Sequence, residues 1–147
     1  MRTIDRTTDI WIRAAAAAAV AGGSCWMAKQ GVIAATVPAS GGPPPESVPI
    51  AVLYLLGVAL MIVGGSGLVA RLGVHLPMVL RVAAAVVLSP VIFLAISTLT
   101  DMLVDAVAGP DAGWWWTGEG AVLLTGLLYA AAGAAALRRR HTALARR

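Results

Sequence analysis

Long apolar stretches, separated by short segments rich in proline, glycine or arginine, are the feature of this sequence that most restricts its fold. The clearest is 48–70, an unbroken apolar run of about the 20 residues that a helix needs to cross a hydrocarbon core. Hydrophobic residues make up 59% of the chain and charged residues only 12%, whereas ordinary soluble domains have about 45–50% and about 25%. A soluble fold could not bury so much apolar surface, so the sequence predicts an integral membrane protein.

Four apolar stretches of spanning length predict an all-α architecture, an integral membrane four-helix bundle with short loops that uses 1–147 as a single transmembrane domain. Prolines and glycines between the stretches cannot continue a helix and therefore mark the loops. A basic cytoplasmic tail is expected at 138–147. The helices are expected at about 10–37, 48–70, 77–108 and 114–137.

The first stretch is the weakest of the four, because alanine contributes little to membrane insertion and Lys29 lies within it. Its small residues predict close packing against the other helices. The part up to Gly23 also has the length of a signal peptide, and Cys25 follows a loose match to a lipoprotein processing site. The helical pattern continues past Cys25, which favours a retained helix.

The arginines predict the orientation of the bundle. In a four-span arrangement all ten arginines flank the apolar stretches on one side, and the opposite side has none. Because positive residues accumulate on the cytoplasmic side, this distribution predicts that both termini are inside, N-in and C-in. The expected location is the bacterial cytoplasmic (inner) membrane, as a multi-pass protein. The excess of arginine over lysine and the alanine richness suggest a GC-rich genome.

An outward-facing polar cluster is the candidate binding site. Helical spacing places Asp101 and Asp105 on one polar stripe of the third helix, and Glu119 lies near the outer end of the fourth. Lys29 is the most deeply placed charge, and an ammonium at that depth requires a carboxylate partner or must reach the interface. The four residues Lys29, Asp101, Asp105 and Glu119 either bind a cation, a proton or a small polar substrate, or are solvated at the interface.

Other sites are not indicated. The two histidines, His75 and His141, both lie in the expected cytoplasmic segments, so no paired imidazoles are available for a membrane haem. No clustered histidines and cysteines suggest a metal site, and no glycine-rich phosphate loop is present. The arginines flank apolar runs, so nucleic acid is not expected as a partner. We therefore predict no cofactor, no metal and no catalytic residues.

These patterns favour a small non-enzymatic membrane protein that acts by association, as an accessory subunit of a larger complex or as a homo-oligomer. Its partners would be the lipid bilayer and other membrane-protein subunits, or further copies of itself. The prediction depends on small-residue helix faces, such as the stripe formed by Gly126, Ala130 and Ala134. Two alternatives remain: a small transporter or channel component that uses the outer polar cluster, and an integral membrane enzyme that acts on a lipid or isoprenoid through Asp101 and Asp105.

Overall fold

The structure is a computed structural model, which describes residues 6–36, 47–109 and 115–144; in the last range the side chains are described for 118–138 only. The described residues are helical apart from the short connection between the second and third helices and single residues at helix ends. The helices are α1 Arg6–Thr36, α2 Val48–Leu72, α3 Met78–Ala108 and α4 Ala121–Leu144, with a π-helical segment, Trp115–Gly120, leading into α4.

The prediction of an all-α chain with four helices is confirmed, and each helix is long and apolar enough to cross a membrane. Two bounds differ from the expected ones by more than two residues. Helix α1 begins at Arg6 rather than near residue 10, because Asp9 lies in its first turn and forms an ion pair of 2.8 Å with Arg13. Helix α4 continues through the arginines to Leu144, since arginine favours helix and a positive charge is stabilising near a helix C-terminus. The expected bounds at 37 and 114 lie outside the described residues.

Neighbouring helices run antiparallel. Gly22 of α1 lies against Gly57 of α2, and Ala19 lies against Gly64, so the two sequences run in opposite directions. The same order relates α1 to α4 and α2 to α3. The start of α1, the end of α4 and the α2–α3 connection therefore meet at one end of the bundle, which carries the described arginines and is called the basic end. The opposite end, with Lys29, Asp101, Asp105 and Glu119, is called the acidic end.

Helix α1 lies at the centre of the bundle and packs extensively against both α2 and α4. Glycines make this possible, because backbones approach closely only where side chains are absent. A Cβ added at Gly22 would lie 2.9 Å from the carbonyl oxygen of Gly57, and one added at Gly133 would lie 2.6 Å from that of Ala16. The small residues of α1 are thus used inside the chain, on two sides of the same helix.

Arg81 is buried, although it lies in the first turn of α3 at the basic end of the bundle. Its guanidinium donates to the carbonyl oxygens of Gly73 at 3.1 Å, Val74 at 3.0 Å and Leu76 at 2.9 Å, and to the hydroxyl of Thr8. The carbonyl groups that follow α2 have no helical partners, so a planar group with several donors satisfies them together. Arg81 thereby ties the α2–α3 connection to α1.

The close α1–α4 contact generates a first prediction. Gly133→Ala is expected to lower the free energy of unfolding by about 1–3 kcal/mol, because the new methyl group meets backbone that cannot move aside. Gly31→Ala, on an α1 position with no neighbouring atom within 4 Å, should leave stability unchanged or slightly raised. Thermal unfolding of the two variants in mild detergent provides the comparison. Equal midpoints would contradict the close packing of α1 on α4.

The burial of Arg81 generates a second prediction. Arg81→Lys is expected to lower the free energy of unfolding by about 2 kcal/mol, since one ammonium cannot reach acceptors that the guanidinium fork serves together. Arg138→Lys, at an exposed position of α4, is the matched control and should behave like the unaltered chain. Denaturant titration of the purified variants measures both. An unaffected Arg81→Lys protein would show that the buried hydrogen bonds contribute little.

Candidate functional site

At the acidic end, α1 and α4 are joined by a buried ion pair. The Lys29 ammonium lies 2.7 Å from Oε1 and 2.6 Å from Oε2 of Glu119, and Lys29 is only 5% exposed. Helix α1 brings the lysine to this level, and the π-helical segment before α4 carries the carboxylate. Of the carboxylates predicted to lie near Lys29, Glu119 is therefore its partner.

Other side chains complete the surroundings of this pair. The amide of Gln30 donates to Glu119 at 2.5 Å, and the ammonium of Lys29 lies 5.3 Å from the centre of the Tyr54 ring. Trp26 stacks on the same ring at 5.4 Å and donates to the Tyr54 carbonyl oxygen at 3.0 Å. Each charge is met by the other, by an amide or by an aromatic face. Chemically, the arrangement is a satisfied ion pair rather than an open charged site.

The two aspartates of the predicted cluster do not join this pair. Asp101 and Asp105 are exposed, and neither belongs to the ion pairs formed between described residues. The buried residue of this turn is Thr100, one position earlier and therefore about 100° away around the helix. Its hydroxyl donates to the Ser97 carbonyl oxygen at 2.8 Å and lies 2.6 Å from that of Thr125, so Thr125 is the donor in the pair.

The structure thus brings together two of the four predicted site residues, Lys29 and Glu119, and leaves the aspartates on the surface of α3. That the four residues bind a ligand stays a prediction. Gln30 and Tyr54 were missed by the sequence analysis, and the position of Gln30 next to Lys29 was the only signal available. Among the described residues, no three histidine, cysteine, aspartate or glutamate side chains come close enough to hold a metal ion.

A second feature is an apolar cleft of about 510 Å³ between α3 and α4, with α1 and α2 forming its floor. Helix α3 packs on α2 and makes fewer contacts with α4, and the cleft lies between α3 and α4. The floor consists of small residues of α1 and glycines of α2, whereas the α3 wall carries Ile92, Ile96 and Leu99. Leu99 and Leu128 on the rims are exposed, which shows that the cleft opens on the side of the bundle.

Polar groups are few in the cleft and differ between its ends. Thr100 lies at one end, with its hydroxyl already bonded to Thr125 and to Ser97. Arg71, in the last turn of α2, lies at the other end and is exposed. Tyr129 forms part of the wall between them and is 7% exposed, and its hydroxyl is buried without a hydrogen-bond partner among the described residues. The cleft is therefore an apolar channel with one charged end.

Little in the sequence indicates this cleft, because ordinary alanines, leucines and isoleucines line much of it. Its only visible signal was the high density of glycines in 57–67, which is typical of tight helix contacts and, less often, of ligand approach. Gly64 and Gly67 serve both purposes, since each packs against an alanine of α1 and each also lines the cleft.

The fold and these two features define an all-helical chain with four helices of membrane-spanning length, an internal ion pair at one end and a lateral apolar cleft. Comparison with protein-family models, with curated proteins and with solved structures gives no match. The proposed function therefore rests on the geometry of the ion pair and the cleft.

The ion pair generates a third prediction. Lys29→Met and Glu119→Leu are each expected to lower the free energy of unfolding by about 3 kcal/mol, because each leaves a buried charge without its partner. The double variant should lose less than either single variant, since two apolar side chains then face each other.

Unfolding of the four proteins in one detergent gives the coupling energy, and Asp101→Asn, at an exposed position, is the neutral control. Additive losses in the double variant would show that Lys29 and Glu119 do not stabilise each other.

Proposed function

We propose that this chain is a multi-pass protein of the bacterial cytoplasmic membrane that binds a membrane lipid in the cleft between α3 and α4, without catalysis. The observation that carries the proposal is the cleft itself, an apolar space that opens sideways at the level where hydrocarbon would surround the helices. Its volume falls within the range of small-molecule sites, about 300–1,000 Å³.

The orientation of the bundle in the membrane is part of this proposal. The antiparallel order places the described arginines at the basic end, where α1 begins and α4 ends. It places Lys29, Asp101, Asp105 and Glu119 at the acidic end. The positive-inside rule then assigns the basic end to the cytoplasm. The end of the cleft at Arg71 would accordingly lie at the level of the inner leaflet headgroups.

A lipid chain fits the cleft better than water does. Apolar cavities stay dry, because water needs several polar partners, and most of this lining offers none. A void that faces hydrocarbon and excludes water is filled by the acyl chains around it. Dispersion contacts with four helices then hold the inserted chain more closely than contact with a single helix surface would.

A lipid also fits better than the helix of another protein. Close helix association needs small residues on the facing surfaces, whereas the α3 rim of the cleft carries Ile92, Ile96 and Leu99. The small residues that first suggested association are occupied within the chain: Gly126 lies against Gly23, and Ala130 is in the same contact. These residues no longer favour an accessory-subunit or oligomer role.

The other two expected functions gain no comparable support. A transport site built on Lys29 would need a charge free to bind its substrate, and that charge is already paired with Glu119. An enzyme that used Asp101 and Asp105 would need both carboxylates at the cleft, and both are exposed outside its lining.

A fourth prediction tests lipid binding. Ala132→Leu places a larger side chain in the cleft and is expected to reduce the phospholipid retained per chain severalfold, by filling the space that the lipid would occupy. Ala131→Leu is the matched control, since it makes the same change at the adjacent exposed position of α4, outside the cleft lining. Native mass spectrometry after equilibration with phosphatidylethanolamine and phosphatidylglycerol in equal amounts counts the bound lipid.

Equal lipid retention by the two variants would contradict the proposal. Loss of a crosslinked oligomer in Ala132→Leu alone, with lipid retention unchanged, would instead assign the cleft to the helix of a second protein.

A further inference from the structure

We infer that the cleft selects an anionic phospholipid, whose phosphate is held by Arg71 at the basic end. This inference rests on the proposed function, since it names the class of lipid that the same cleft binds. The inference rests on a juxtaposition: Arg71, which forms no ion pair with the described residues, lies where an otherwise apolar, laterally open cleft reaches the end of the bundle.

Arg71 is the described arginine of this end that lines the cleft. Arg81 is buried and donates to backbone carbonyls, Arg13 is paired with Asp9, and Arg6 and Arg138 are exposed outside the cleft lining. Arg71 is exposed, belongs to neither of the ion pairs between described residues, and is the one charged residue among the described residues that line the cleft. Its donors are therefore available to a ligand that enters the cleft.

The chemistry of the guanidinium points to phosphate. Arginine presents a planar fork of donors that matches two oxygens of a phosphate, and such charge-assisted hydrogen bonds are stronger than neutral ones. A zwitterionic lipid also offers a phosphate, but its headgroup ammonium would lie near the cationic guanidinium. An anionic lipid brings no such repulsion and is attracted by the other arginines of the basic end as well.

The dimensions agree with a lipid that is held at its head. From Ala136 to Leu128 the α4 wall rises eight residues, or about 12 Å at about 1.5 Å per residue. Beyond Arg71, the polar side chains in the lining are those of Tyr129 and, at the far end of the cleft, Thr100. A phosphate at Arg71 thus places the first part of an acyl chain along the cleft, with its continuation free to leave through the open side.

The fifth prediction uses the same mixture of phosphatidylethanolamine and phosphatidylglycerol in equal amounts. The ratio of the two bound lipids measures selectivity, and their total measures binding. The unaltered chain should retain phosphatidylglycerol in preference to phosphatidylethanolamine by about tenfold, the ratio that corresponds to about 1.4 kcal/mol of repulsion between the headgroup ammonium and the guanidinium. Arg71→Gln should bring this ratio close to one while still retaining lipid. Arg138→Gln, which removes an exposed arginine outside the cleft lining, should keep the preference.

The outcomes separate the two proposals. If Arg71→Gln keeps the phosphatidylglycerol preference while Ala132→Leu loses lipid, lipid binding stands and the role of Arg71 is wrong. If Arg138→Gln reduces the preference as much as Arg71→Gln does, general attraction by the basic end replaces a defined site. If Ala132→Leu retains as much lipid as Ala131→Leu, the proposed function itself fails and the selectivity belongs to the outer surface of the bundle.

Discussion

The packing of α1 against two neighbours at once is the constraint on which the rest of the structure depends. Lipid chains are as apolar as leucine, so in a bilayer helices associate through close contact rather than through the hydrophobic effect. Helix α1 has the composition for such contact, with glycines and alanines against α2 on one side and α4 on the other. The same composition makes α1 the least apolar and the most buried of the four helices. A segment that is a poor membrane span by itself is well suited to the centre of a bundle.

Polar side chains inside the bundle are mostly satisfied by one another. Lys29 meets Glu119, Arg81 meets backbone carbonyls, and Thr100 meets Thr125. In hydrocarbon an unsatisfied polar group is costly, so these pairings are what the proposed membrane location requires. Exceptions among the described residues are the amide oxygen of Gln30 and the hydroxyls of Ser47, Ser89, Ser97 and Tyr129, and of these residues only Tyr129 lines the cleft. Two of the four predicted site residues, Lys29 and Glu119, therefore join α1 to the segment before α4, and the open space of the bundle lies elsewhere.

The sequence predicted what depends on apolar length and charge sign, and it missed what depends on helix rotation. The four helices and their approximate bounds follow from the length of apolar runs, and the need of Lys29 for a carboxylate follows from the cost of burying an ammonium. The identity of the residue of α3 that faces the bundle interior could not be predicted. A rotation of the helix by one position decides whether Thr100 or Asp101 is buried, and the spacing in a single sequence does not determine that rotation. The burial of Arg81 did not follow from the sequence either, because its acceptors are mainly backbone carbonyls, which composition does not reveal.

The cleft could not be predicted from the sequence for a related reason. It results from the close packing of α1 against α2 and α4, which no single apolar stretch reveals. Because α1 approaches α2 and α4 at glycine positions, those two helices are drawn close to it, whereas α3 packs on α2, on the π-helical segment and less extensively on α4. Side chains of α3 and α4 meet where Phe93 packs near Tyr129, at a ring separation of 6.2 Å, and where Thr100 bonds to Thr125. Between α3 and α4 the cleft remains open. The close packing of α1 with α2 and α4 thus leaves an apolar space with Arg71 at one end, and this space is where we propose that a lipid binds.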